Sequence, residues 1–600
     1  MSVPESSPLR ALNQLYERLA GDERYHIARP GYSAQRVSFC LVLNPDGSLA
    51  AIQDERDTAG KKPVPRQLTL PGQAKPPGQG LNPGFLWDNS AYLLGYKAAD
   101  EKPERTAKSF AAFRERHLNL AAAEPTLAAD PGFAAVCDFV RDWTAARAAA
   151  FKTQLDDFAG MGFGVFRMTG ENGYVHDRAA VTTYWERIQS APDSGSSRGQ
   201  CLITGEPEQP LAQLIEPAIK GVRDAQSGGA KIVSFNCDSF TSYGKEQALN
   251  SPISQTAAFR HATALNALLA GPQSHLHRIQ IGDATTVFWT ERPTTTESFL
   301  AEFLEGRTPE DEPGAQDEPL RARLQTFLGV LRDGGGRGLD GLGDAGDTPF
   351  YVLGLSPNAA RISIRFWHAS SLADFVRSLG AHFRDLRLVR SFPAREPEFP
   401  PAWLLLRQTA RESKDIAPLL AGPFLRAIIT EGPYPPMLAS AVVRRIRADR
   451  EVGYLRCSIL KAFLNRNHQL DLPMSLDVAR SEPAYRLGRL FAALEKTQED
   501  ALPGLNATIR DRFYSSASAT PAVVFPRLLR TYQHHLSKAA AERGLGLKIN
   551  RERLVQEICA GLSEMPAHLS LEGQSLFALG YYHQRQAFYA KSEAEAQPAA

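Results

Sequence analysis

Residues 216–251 read EPAIKGVRDAQSGGAKIVSFNCDSFTSYGKEQALNS and hold an unusual density of groups able to bind a phosphate backbone. Lys220, Arg223, Lys231 and Lys245 supply charge, and Asn236, Ser239, Thr241, Ser242, Tyr243, Gln247 and Asn250 supply hydroxyls and amides. Gly228, Gly229 and Gly244 let backbone N–H groups approach an anion or a second backbone closely. The same residues would also suit a polar surface loop that caps the next helix. A second cluster lies in residues 58–87, where Lys61, Lys62, Arg66 and Lys75 are opposed by no acid. Gln67, Gln73, Gln79 and Asn82 beside them are of the types that read base edges or clamp phosphates. The Pro and Gly content of this span stiffens it, so less entropy is lost when it docks, although a solvated surface loop would look similar. A third cluster, Arg444, Arg445, Arg447, Arg450, Arg456, Lys461 and Arg466, meets only Asp449 and Glu451. Arg444, Arg447 and Glu451 are three and four apart and share a helix face, which suits either solvent or a phosphate backbone.

Catalytic chemistry is harder to find. The GRGLDG at 336–341 matches a dinucleotide-binding pattern only formally, because it sits in glycine-dense sequence rather than between a strand and a helix. No GxxxxGK[ST] phosphate loop is present. His176-Asp177 is a dyad of the kind metal nucleases use, but no further His or Asp ligands stand at suitable spacing. His275, His277, His534 and His535 lack a carboxylate cluster and are expected at the surface or at helix caps. The six cysteines, at 40, 137, 201, 237, 457 and 559, form no CxxC pair, which argues against a zinc site or a disulfide framework and for a reducing cytoplasm. The expectation is therefore a chain that is not an enzyme and needs no metal or cofactor.

The elements that must position these groups follow from periodicity. Six hundred residues exceed one core and imply about three or four domains. A hydrophobic content of 43% and a charged content of 22% are those of a globular protein, and the net charge of +2 leaves any basic face to local clustering. The N-terminus lacks the order of a signal peptide, and no run of about 18 apolar residues exists to span a membrane. Leu9, Leu12, Tyr16 and Leu19 predict a helix over 8–20. Strands at 36–43 and 48–53 flank the turn Asn44-Pro45-Asp46-Gly47. Helices follow over 103–160, then strands at 165–168 and Val175, a helix near 183–189 and a flexible connection at 191–200. Residues 201–295 are expected to alternate strands, including Lys231–Asn236, with one helix at 254–269. An acidic and then glycine-dense insertion covers 307–348. Strands at 351–355 and 361–367 precede an almost wholly helical remainder. The fold class is α+β and multidomain: a region 1–190, a mixed region 201–370, a helical connection 371–473 and an all-α bundle 474–600. Apolar stripes (Leu487, Leu490, Phe491, Leu494; Leu554, Ile558, Leu562; Phe577, Tyr581) mark that bundle as core packing.

Several islands resemble the large subunit of the subtype I-C CRISPR interference complex, Cascade. They are FLWDNSAYLLG (85–95), CLITGE (201–206), IKGV to Gln247 (219–247), SPIS-x-x-AAF (251–259), IGD-x-TTVFW (281–289) and LGLSPNAARISIRFW (353–367), in order along the chain. The resemblance implies a non-catalytic subunit of an RNA-guided surveillance complex, one that contacts crRNA, the backbone subunits and the crRNA-processing subunit. It implies recognition of a protospacer-adjacent motif in double-stranded DNA, strand separation, retention of the displaced non-target strand and recruitment of a helicase–nuclease. The loop before FLWDN would carry the motif contacts, through Lys61, Lys62, Arg66, Gln73, Lys75 and Asn82. Here Pro76 stands where the family has a second basic residue, and Gly84 where Asn is usual. Lys220, Arg223, Lys231, Asn236, Ser242, Lys245, Arg444, Arg445 and Arg447 would follow the nucleic-acid backbone. The family also makes its C-terminal part as a separate small subunit by internal translation, for which Met474 is the candidate start. A metal-dependent nuclease built on His176-Asp177, and a scaffold that touches only protein, are the competing readings.

Overall fold

The computed structural model describes residues 6–58, 63–73, 80–158, 162–190, 197–281, 284–294 and 346–594, together with Glu297, Leu328, Gly329 and Arg332. The 307–348 insertion and GRGLDG lie almost wholly outside the described residues. The chain divides into two compact units, Ser6–Ser274 with Pro357–Ser363, and His275–Ser356 with Ile364–Ala600.

The first unit is organised on one long strand, β1 (Tyr32–Leu43). The Asn44–Gly47 turn forms as expected, with Gly47 at φ +79° and its N–H donating to the Asn44 carbonyl, and it returns the chain as β2 (Leu49–Asp54). β2 covers only the second half of β1, from Phe39 to Leu43. The first half, Tyr32 to Val37, pairs instead with β3 (Arg66–Pro71). Residues 58–87 are therefore not one loop: a strand runs through them and leaves two separate excursions. On its other edge β1 pairs in parallel with β5 (Phe163–Met168), and β5 pairs with the short β4 (Trp87–Asp88). Phe39, Leu41 and Leu43 bury one face against Phe113, Phe133 and Phe139 of α2 (Pro103–Ala123) and α3 (Pro131–Asp142). The opposite face packs Cys40, Val165 and Leu70 around Trp87. The amphipathic α1 (Pro8–Ala20), capped by Ser7, packs on α4 (Gln255–Ala270), capped by Ser254, through an edge-to-face Tyr16–Phe259 contact.

Between residues 197 and 253 the expected alternation of strands does not form. Only two-residue strands, 198–199 and 209–210, pair there. Lys231–Asn236 is not a strand either: its one bridge is to Arg361, at the tip of a hairpin, where a turning chain offers no second residue to extend a ladder.

The second unit begins with a sheet in the order β9-β8-β7-β6, formed by β6 (Arg278–Ile281), β7 (Ala284–Thr290), β8 (Pro349–Asn358) and β9 (Arg361–Ser371). The helices α5 (Leu372–Leu386), α6 (Pro436–Asp449), α7 (Tyr454–His468), α8 (Pro483–Ala501), α9 (Pro521–Arg543), α10 (Leu545–Ala560) and α11 (Leu571–Ala594) follow. One apolar core runs from Ile279 through Phe375, Phe424 and Phe491 to Tyr582, so the expected boundary at Met474 falls within a continuous core. His277, expected at the surface, is buried at its edge, with Nδ1 3.2 Å from the Phe288 carbonyl.

Candidate nucleic-acid interface

The excursion between β3 and β4 starts from a clamped base. At its first foot the Pro71 carbonyl accepts a hydrogen bond of 2.6 Å from Trp87 Nε1, at its second foot. Trp87 is 1% exposed, so this bond is shielded from water. The Gly31 carbonyl then takes both the Gly72 N–H and Trp185 Nε1, each at 2.8 Å. At the second foot Asp88 Oδ2 accepts the Gly84 N–H at 2.8 Å, and Tyr92 Oη accepts the Asn82 N–H at 3.2 Å. From α2, Arg116 donates to the Pro83 carbonyl at 2.5 Å, and His117 Nε2 accepts the Leu86 N–H at 3.1 Å. Leu86 holds φ +60°, a conformation that side chains other than glycine rarely adopt. A Cβ at Gly84 would lie 2.0 Å from the Trp87 carbonyl oxygen, so in this backbone the position excludes the Asn that the family resemblance leads one to expect.

His117 is fully buried and its Nδ1 lies 2.8 Å from the Phe113 carbonyl. With a proton on Nδ1 and a lone pair on Nε2, the neutral ring satisfies both neighbours. Burial pushes its pKa down to about 4, which keeps it in that form near neutrality. Neither Arg116 nor His117 was legible as part of this site, because no local pattern links α2 to a loop some thirty residues earlier. Asn89 caps the short helix at Ser90–Leu94, its side chain accepting the Ala91 N–H at 3.1 Å.

Of the proposed motif contacts, Gln73 and Asn82 are exposed on the two shoulders of this excursion. Arg66 starts β3 with an exposed side chain, 3.8 Å from Glu55. Glu55 also holds Arg167 at 3.1 Å and accepts from Tyr174 Oη at 2.7 Å, so an acid just outside the basic span partly offsets it. Lys61, Lys62 and Lys75 lie outside the described residues.

In the 216–251 stretch the predicted groups fare differently from one another. Lys220 and Arg223 are exposed, with Asp224 3.7 Å from the Arg223 guanidinium. Lys231 is engaged: its Nζ is 2.6 Å from Glu216. Asn236 accepts from Arg361 at 2.5 Å, and Arg361 also lies over the Phe240 ring at 4.7 Å. Beyond it, residues 236–247 are all exposed and include Ser242 and Lys245.

The third cluster does not present one basic face. Arg445 and Arg456 share Asp449, and Arg447 donates to Ser515 Oγ at 3.0 Å. Lys461 and Arg466 point into the protein, where Arg466 is 2.6 Å from Asp385 and Lys461 donates to the Asp385 carbonyl at 3.1 Å. Arg444 and Arg450 remain exposed.

A family described as CRISPR-associated protein (Cas_Csd1) matches residues 12–589. The chain belongs to this family. It is thereby a CRISPR-associated Cascade large subunit of type I-C, as the islands in its sequence suggest. Among curated proteins none matches it. In this Csd1 chain His176 is buried, stacked on Tyr174 with ring centroids 5.2 Å apart, and its Nε2 is 3.6 Å from Asp177. Desolvation lowers its pKa to about 4. No group of three or more His, Cys, Asp or Glu side chains among the described residues is arranged to hold a metal ion. Nor is any helix among them long and apolar enough to cross a membrane.

Proposed function

We propose that this Csd1 chain finds the protospacer-adjacent motif in duplex DNA with its β3–β4 excursion, starts strand separation there, and acts without catalysis of its own. The clamped base carries this reading. A loop that must discriminate bases has to hold its side chains in register, and the Pro71–Trp87 bond with the α2 contacts fixes both feet. Gln73 and Asn82, one on each shoulder, would read base edges or sugars, while Lys61, Lys62, Arg66 and Lys75 would supply phosphate contacts and a wedge. Lys220, Arg223, Ser242, Lys245 and Arg444 would follow the backbone of the crRNA or of the displaced non-target strand. Lys231, Arg445 and Arg447 serve it only by giving up the partners they now hold. The expected partners are the Cascade backbone subunits, the crRNA-processing subunit, a small subunit starting at Met474 and a helicase–nuclease.

The test uses the assembled complex, with targets carrying either the flanking motif or a randomised one. Gln73→Ala with Asn82→Ala is expected to reduce the affinity ratio between the two targets about tenfold or more. Neutralising Lys61, Lys62, Arg66 and Lys75 should weaken both targets alike and flatten the salt dependence. An unchanged ratio together with an unchanged salt slope would remove the excursion from motif recognition.

A further inference from the structure

Residues 242–245 form a two-residue turn. The Lys245 N–H donates to the Ser242 carbonyl at 2.9 Å, and both central residues have positive φ: +52° at Tyr243 and +68° at Gly244. That is a type I′ turn, whose first central position favours Asn, Asp or Gly. A tyrosine there is strained, since a bulky side chain in the left-handed region crowds its own backbone. The turn is held in shape all the same. Asn250 accepts the Ser242 N–H at 2.9 Å and donates to the carbonyls of Lys245 at 2.7 Å and Gln247 at 3.0 Å.

The tyrosine contributes nothing to the fold in return for that strain. It is 97% exposed, and neither its ring nor its hydroxyl has a partner among the described residues. A single exposed apolar residue is ordinary, but one kept in a disfavoured conformation at the tip of a pinned turn is a candidate for function. The surroundings indicate what it meets. From 236 to 247 the exposed side chains are small hydroxyls, amides, charged groups and the Cys237 thiol, and the other aromatic, Phe240, is covered on one face by Arg361. A protein hot spot would set the ring among apolar neighbours. Lys245 and Glu246 stand side by side, so the tip adds little net charge and chiefly offers a bare π-face.

We propose that Tyr243 is a stacking platform for an unpaired nucleobase. The inference rests on the nucleic-acid reading of this chain and adds the residue that would order a single-stranded segment beside the phosphate contacts. Two strands could supply the base: the crRNA outside its paired region, or the displaced DNA strand.

The assembled complex tests it with three variants. Tyr243→Asn removes the ring but suits the turn better, so the thermal midpoint should hold or rise. Nucleic-acid affinity should fall about tenfold, the low end for loss of one stacked base, with the salt slope unchanged because no phosphate contact is lost. Tyr243→Phe should stay within about twofold of the parent, since the hydroxyl is not needed for stacking. Tyr243→Trp reports the source of the base, read as emission in excess of the six native tryptophans. Quenching before target DNA is added assigns the crRNA, and quenching only afterwards assigns the displaced strand. Parent-like affinity of Tyr243→Asn with no quenching in either arm overturns the stacking role. So does a loss confined to subunit assembly, which would mark a protein contact. A parent complex that ignores the flanking motif would count against the motif-reading proposal instead, and leaves this comparison intact.

Discussion

His117 shows how much one side chain can decide at the excursion's base. Its Nε2 lone pair satisfies the Leu86 N–H, and Leu86 is itself held at positive φ. Protonation converts that acceptor into a donor facing a donor. The folded-state pKa is near 4, against about 6.5 for an exposed histidine. Between those values the unfolded chain binds the proton and the folded chain does not, so the stability is fully present above about pH 6.5 and is lost as pH falls towards 4. The loss from this residue should be on the order of 1–2 kcal/mol between pH 7 and pH 5. His261, buried and also lowered to about 4, acts in the same direction. His117→Ala should lower stability at pH 7 by about 1–3 kcal/mol, the cost of orphaning the buried Leu86 N–H, and should flatten the acid dependence. Denaturant midpoints of parent and variant at both pH values check this. An equal pH dependence in the two proteins would mean that the ring already titrates in the folded state.

At the scale of elements, α8 and α11 cross with their backbones in close contact. A Cβ at Gly488 would sit 2.1 Å from the Phe577 carbonyl oxygen, and one at Gly580 would sit 2.1 Å from the Tyr485 carbonyl oxygen. Each glycine thus lets the other helix's backbone approach, and both faces are fixed. Gly488→Ala or Gly580→Ala should cost about 1–3 kcal/mol, with the double variant costing less than the sum because the first already separates the helices. Thermal unfolding of the three variants measures it. If either alanine matched the parent, the crossing would be looser than the geometry states. The stripes Leu487, Leu490, Phe491 and Leu494 were readable in the sequence, because helical periodicity is a local signal. The glycines were not: nothing near Gly488 reports which distant helix it meets. The same division holds in the first unit. The helix at 8–20 and the Asn44–Gly47 hairpin follow from spacing and turn chemistry. β3 was hidden inside a span whose prolines and glycines read as loop, and most of its partner, the first half of β1, lies before the strand expected at 36–43. Of the candidate site, the exposed shoulders Gln73 and Asn82 could be named from residue type, whereas the clamp beneath them, made by Trp87, Arg116 and His117, depends on contacts that sequence spacing does not encode.

At the scale of the whole molecule, the continuity of the second unit's core bears on a polypeptide that begins at Met474. Such a chain keeps α8 to α11 but loses α6 and α7. In the full chain α11 packs on both sides: Phe577 and Tyr581 face Phe491 of α8, while Cys457 of α7 lies 3.8 Å from the Ala578 carbonyl. Tyr582 Oη donates to the Val389 carbonyl at 2.7 Å, a partner that the shorter chain also lacks. Removing that cover exposes several side chains, each of which contributes about 1.5–3 kcal/mol when fully buried. The remaining bundle still has its internal polar pins. Glu495 is fully buried, accepts from Thr508 Oγ1 at 2.6 Å and from Tyr581, and lies 3.7 Å from Arg585. The chain 474–600 is therefore expected to fold yet to self-associate as its concentration rises, because the face that met α7 is left apolar and unpaired. Sedimentation across a concentration series reads this directly. Tyr582→Lys, which charges that face without touching the Glu495 network, should return the fragment to a monomer. A fragment that stays monomeric at every concentration and melts where the full chain's helices melt would show that α7 adds nothing to this core.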